Sequence, residues 1–150
     1  MMKSKRFEPI REIASSSAKD LSRAMGEAAR KVADLERQFE QLQSYRDEYV
    51  RNSQSPAAID AVKLQNYRSF LDRLGEALRL HLKNLDTARA EYERRRALWS
   101  EKRIEAESLS RVVDRFRKEE RHAADRREQH EGDEAAMRMS LAAAIGTGNH

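Results

Sequence analysis

Apolar residues recur at seven-residue intervals along the first third of the chain, and a second apolar series runs between them. The first series is Leu21, Ala28, Leu35, Leu42 and Tyr49. The companion series, offset by four, is Met25, Val32 and Phe39. Two interleaved series of this kind form the stripe through which coiled-coil helices pack. The pattern predicts a first helix over residues 8–52, with Pro9 in its first turn and Ile10, Ile13 and Ala14 extending the apolar pattern.

The first stripe stops at a polar stretch, residues 52–55, which predicts a turn over residues 53–56. Ser55 followed by Pro56 is typical of an N-cap and the first position of a second helix, predicted over residues 57–140. One series of that helix is Leu64, Leu71, Leu78, Leu85, Tyr92, Trp99, Ala106 and Val113. Its companion series is Tyr67, Leu74, His81, Ala88, Arg95, Lys102, Leu109 and Phe116.

The apolar stripe thins beyond Phe116, and Gly132 weakens the helix further. Residues 141–150, which include Gly146 and Gly148, are expected to form a disordered tail. A short connection makes two long helices antiparallel neighbours. The sequence therefore predicts an all-α fold in a single domain: an antiparallel coiled-coil hairpin whose second helix is the longer and frays at its C-terminal end.

Composition favours a rod of helices over a globular domain with a thick core. Charged residues make up 37% of the chain and aromatic residues 6%, with two prolines and five glycines. Typical domains are about a quarter charged, so little apolar material is left for a core. Without cysteine, disulfides and thiolate metal sites are excluded. No secretory signal and no apolar run of membrane-spanning length is found, so we expect a cytoplasmic protein without direct membrane insertion.

The net charge of +4 is spread evenly along the chain, which argues against a nucleic-acid partner. Residues 1–56 hold 11 basic and 9 acidic side chains, and residues 57–150 hold 19 and 17, so each part carries +2. Nucleic-acid-binding proteins usually concentrate positive charge in a patch or stripe. Interleaved signs are more typical of a solvated helical surface crossed by ion pairs.

No residue pattern indicates catalysis. The chain lacks a glycine-rich phosphate loop, a nucleophile elbow and a cysteine nucleophile. His130 and Glu134 lie one helical turn apart, but two ligands on a charged helix are weak evidence for a metal site. We therefore expect a non-catalytic protein with no metal and no cofactor.

The segment ERRRALWSEKR, residues 93–103, sets Trp99 among arginines. Such a tryptophan could stack on a nucleic-acid base or anchor a protein partner. Because Trp99 lies on the apolar series and arginines commonly border a coiled-coil stripe, packing within the stripe is favoured. An exposed Trp99 would instead favour a partner.

Several segments together resemble the flagellar FliJ family, coiled-coil proteins of the flagellar type III export apparatus. KSKRFEPIREIA is similar to the family's start, and LERQFEQLQSYRDEYVR to its E-x-Q-L-x-x-L-x-x-Y-R-x-E-Y stretch. LQNYRSFLDRLGEAL, LWSEKR and RREQHEGDE resemble later elements, in the same order. The resemblance runs from about Phe7 to Glu134. His130 in place of the family's lysine, and Gly132, are departures within the last element.

The resemblance implies a function in export rather than catalysis. Family members form an antiparallel coiled coil similar to the stalk of rotary ATPases and act as general export chaperones or escort factors. The implied partners are the flagellar export ATPase, the cytoplasmic domain of the export-gate protein FlhA, and other export chaperones. The implied location is the cytoplasm, peripherally at the inner-membrane export apparatus. The family's gate-binding surface corresponds here to Gln38, Leu42, Tyr45, Tyr49, Phe70, Leu74, Ala77 and His81.

The spacing of these eight gate-surface residues supports such a surface independently. The four on each helix are spaced 4, 3 and 4, so each set forms one stripe. Tyr49 lies on the core series, whereas Tyr45 lies beside it. A two-helix seam needs only a narrow stripe, so an aromatic side chain beside the seam suggests a further partner. On the stalk analogy, the candidate ATPase contacts are Arg94, Arg95 and Arg96.

Two other functions remain compatible with the pattern. One is a structural coiled coil that homodimerises through the same stripes. The other is a basic rod that binds nucleic acid through its positive surface. Loss of binding to FlhA on changing Tyr45 or Phe70 would favour the export function. A stable dimer in solution would favour the structural coiled coil, and affinity for nucleic acid that resists salt would favour the basic rod.

Overall fold

The structure, a computed structural model, describes residues 2–53 and 60–147. It contains two helices, α1 (Lys3–Asn52) and α2 (Ala61–Thr147), and no strand among the described residues. Where contacts between the helices are seen, residue numbers rise along α1 as they fall along α2, so the paired segments are antiparallel. The prediction of an all-α helical hairpin is confirmed.

Helix α1 begins at Lys3 rather than near residue 8. Pro9 consequently lies inside the helix instead of in its first turn. Because proline has no backbone N–H, one carbonyl of the helix lacks its intrahelical partner there. The additional turn is held by tertiary contacts. Ser4 is buried and binds Glu120, and the rings of Phe7 and Phe116 lie 5.4 Å apart.

The ends of the helices near the connection are capped locally. The backbone N–H and the hydroxyl of Ser53 both donate to the carbonyl of Tyr49, at 3.1 and 2.7 Å, and complete the last turn of α1. The carboxylate of Asp60 accepts the backbone N–H of Lys63 at 2.8 Å, the usual N-cap arrangement for α2. The predicted cap at Ser55 and Pro56 lies outside the described residues.

Helix α2 continues to Thr147, so residues 141–147 are helical where the sequence predicted a disordered tail. The helix runs through Gly132 without interruption, and a Cβ atom at that position would meet nothing within 4 Å. Among the described residues, neither helix carries a stretch long and apolar enough to cross a membrane.

The chain packs as two compact units, each pairing part of α1 with part of α2. The central unit comprises Ser17–Lys102, and the terminal unit comprises the described residues of Met1–Ser16 and Arg103–His150. The expectation of a single domain stays a prediction.

The core of the central unit is the predicted seam. Its buried apolar residues are Ala28, Leu74, Leu78, Leu85 and Ala88. All five lie on the seven-residue series identified in the sequence, so the predicted stripe is confirmed in this unit. At the border of the seam, Arg89 donates to Glu36 on the facing helix at 3.1 Å.

The terminal unit extends the same seven-residue frame toward the start of α1. Ala14 and Phe7 continue the Leu21 series backward; Ala14 is buried, and Val113 on α2 is fully buried. Ile10 and Ile13, which the sequence predicted to extend the apolar stripe, lie off that frame and are exposed. The prediction for these two residues was wrong because the frame, rather than hydrophobicity alone, determines which side faces the partner helix.

Candidate partner-binding surface

An aromatic cluster lies in the central unit beside the connection between the helices. It consists of Tyr45, Tyr49, Tyr67 and Phe70. Tyr49 is central, with its ring centroid 4.4 Å from that of Phe70 and 5.4 Å from that of Tyr67, on which it stacks. Tyr45 meets the same Phe70 edge-on at 6.2 Å and 77°. These are favourable aromatic geometries, and they join α1 to α2.

Three of the eight predicted gate-surface residues, Tyr45, Tyr49 and Phe70, are therefore in direct ring contact. Tyr67, which the sequence placed only on the core series, is a further member of the cluster. The sequence could have placed Tyr67 in the cluster, because this residue lies one turn before Phe70 and Leu71 in a helix that must face Tyr49.

The two tyrosines of α1 are placed differently. Tyr49 is half-buried, whereas Tyr45 is 51% exposed although its ring rests against Phe70. Tyr45 thus combines an ordered aromatic ring with an accessible face and a phenolic hydroxyl. A large exposed aromatic held by a neighbour is the kind of residue that protein interfaces use as an anchor.

The remaining gate-surface residues likewise divide into exposed and packed positions. Gln38 is exposed and lies two turns before Tyr45 on the same stripe. Leu74 is 8% exposed, and Leu42 and Ala77 are half-buried. The candidate surface therefore has an outer part, Gln38 and Tyr45, that rests on residues packed in or beside the seam.

His81 is the member of the gate surface that places a polar ring on the seam. The residue is half-buried on the seam, and its Nδ1 atom is buried with no hydrogen-bond partner among the described residues. A buried polar atom without a partner costs about 1–3 kcal/mol. His81 therefore stabilises the seam less than an apolar residue of similar size would.

The arginines proposed for the ATPase are largely engaged within the chain. Glu91 accepts two hydrogen bonds from Arg94, at 3.0 and 2.7 Å, and one from Arg95 at 2.9 Å. These bonds, first from Arg94 and then from Arg95, lower the pKa of Glu91 to about 2. Arg95 also donates to the carbonyl of Ala24 on α1 at 2.9 Å. Arg95 thus joins the two helices, as its position on the seam series allows.

Arg96 is placed differently from its two neighbours. Its contact is a 3.8 Å approach to Glu93, and both side chains are well exposed. Trp99 lies half-buried on the seam series, where its place in the sequence predicted packing.

Within the described part of the chain, no group of three or more histidine, cysteine, aspartate or glutamate side chains could hold a metal ion. His130 and Glu134 do meet, with Nε2 3.2 Å from Oε1, on an exposed stretch of α2. One such pair is an ordinary contact one helical turn apart.

Comparison with known proteins identifies the family. The family described as Flagellar FliJ protein matches residues 2–144, nearly the whole chain. The chain is 25% identical to the Flagellar FliJ protein of Escherichia coli (strain K12) over 134 aligned residues. The alignment covers 88% of this chain and 91% of that protein. No solved structure gives a significant match. The chain belongs to the flagellar FliJ family, whose members are non-enzymatic proteins associated with flagellar export.

Proposed function

We propose that this protein couples the flagellar export ATPase to the export gate. In this proposal it is a cytoplasmic export chaperone or escort factor that binds the ATPase and the cytoplasmic domain of FlhA, and so associates peripherally with the inner-membrane apparatus. Family membership supports a role in flagellar export. The observation that carries the gate contact is the exposed, ordered ring of Tyr45.

Tyr45 suits binding because its conformation is already restricted. The edge-on contact with Phe70 orients the ring, so little side-chain freedom is lost when a partner covers it. The ring also lies outside the seam, so covering it does not require the helices to separate. Gln38 lies on the same stripe and adds an amide that can both donate and accept.

The buried and half-buried members of the gate surface have a supporting role in this proposal. Phe70 holds the Tyr45 ring in place, Tyr49 packs against Phe70, and Leu74 is buried in the seam. Changes at these positions are expected to act through the shape of the surface.

On the ATPase side, Arg96 is the strongest candidate contact of the three arginines. Arg94 and Arg95 are hydrogen-bonded to Glu91, and Arg95 also binds the backbone of α1. A partner would have to break those bonds to use either of them. Arg96 keeps a well-exposed guanidinium that can form two parallel hydrogen bonds with a carboxylate.

Binding of the full chain to the purified cytoplasmic domain of FlhA tests the gate contact. We expect Tyr45→Ala to weaken binding by about 2 kcal/mol, roughly thirtyfold, since removing an anchor of this kind typically has that effect. Isothermal titration calorimetry measures the affinity, and circular dichroism checks that helicity is unchanged.

The matched control is Leu80→Ala, which removes another exposed apolar side chain, on α2 and outside the gate surface. Its affinity should equal that of the natural chain. If Tyr45→Ala and Phe70→Ala both bind as the natural chain does, the gate-contact proposal fails.

A further inference from the structure

We draw no further inference here: the strongest candidate, the exposed apolar surface on the last part of α2 formed by Met137, Met139, Leu141 and Ile145, carries none because nothing in the structure shows what covers it.

Discussion

Tyr45 and Tyr49 show how four positions along one helix separate a surface residue from a seam residue. Tyr49 contacts both Tyr67 and Phe70 on α2, and Tyr45 contacts only the edge of Phe70 among the rings of the cluster. Tyr49 therefore contributes mainly to folding. Tyr45 keeps an exposed face for a partner.

This division predicts different effects on stability. Tyr49→Ala should lower the free energy of unfolding by about 2 kcal/mol, below the range for a fully buried aromatic because Tyr49 is half-buried. Tyr45→Ala should lower it by less than about 1 kcal/mol. Urea denaturation followed by circular dichroism measures both. A larger loss for Tyr45 than for Tyr49 would contradict the placement of these residues.

At the scale of the element, the first turn of α1 depends on a residue far away in the sequence. That turn has no acidic residue of its own to satisfy its free N–H groups. Glu120 on α2 supplies the carboxylate. The hydroxyl of Ser4 donates to it at 2.6 Å and the backbone N–H of Ser4 at 3.0 Å, while Arg117 pairs with Glu8 nearby.

Because Glu120 caps the first turn of α1, the stability of the folded chain should depend on pH. The hydroxyl of Ser4 first, and its backbone N–H second, lower the pKa of Glu120 below 4.5. Because the folded-state pKa is the lower one, the contact stabilises the folded chain above pH 4.5 and this contribution is lost as pH falls through the folded pKa. Glu120→Gln should therefore melt at a lower temperature than the natural chain at pH 7, and the difference should shrink toward pH 3.

The matched control for that pH series is Glu119→Gln, a neighbouring exposed carboxylate. Its melting temperature should follow that of the natural chain at each pH. A difference between Glu120→Gln and the natural chain that stays constant from pH 7 to pH 3 would mean that the Glu120 carboxylate does not act as the cap.

At the scale of the whole molecule, charge is distributed as sequence composition indicated. Several arginines of the described residues pair with acidic neighbours three or four positions away, among them Arg11, Arg37, Arg89, Arg94, Arg95, Arg103 and Arg138. Such exposed pairs contribute little stability individually. They do neutralise positive charge locally.

The even mixture of charge signs along the chain predicts weak, salt-sensitive affinity for DNA. Binding measured by fluorescence anisotropy should fall at least about tenfold between 50 and 200 mM salt, because only counterion release drives it. Affinity that persists at physiological salt, and exceeds that of an unrelated helical rod with the same net charge, would favour the nucleic-acid function instead.

The sequence by itself determined the helices, their antiparallel pairing and the seam of the central unit. A seven-residue period can be read directly, and it places Leu74, Leu78 and Leu85 on the buried side whatever their partners are. The period also separated Tyr45 from Tyr49. Both results follow because helical geometry converts spacing into direction.

Only the tertiary structure decided the features that depend on the facing helix. The contact between Ser4 and Glu120, 116 positions apart, extended α1 beyond its predicted start, and no local pattern encodes that contact. The same packing left Ile10 and Ile13 exposed and used Arg95 to bind the backbone of α1. These outcomes depend on the register between two helices, which is set by the sum of contacts along both of them, so neither helix specifies it alone.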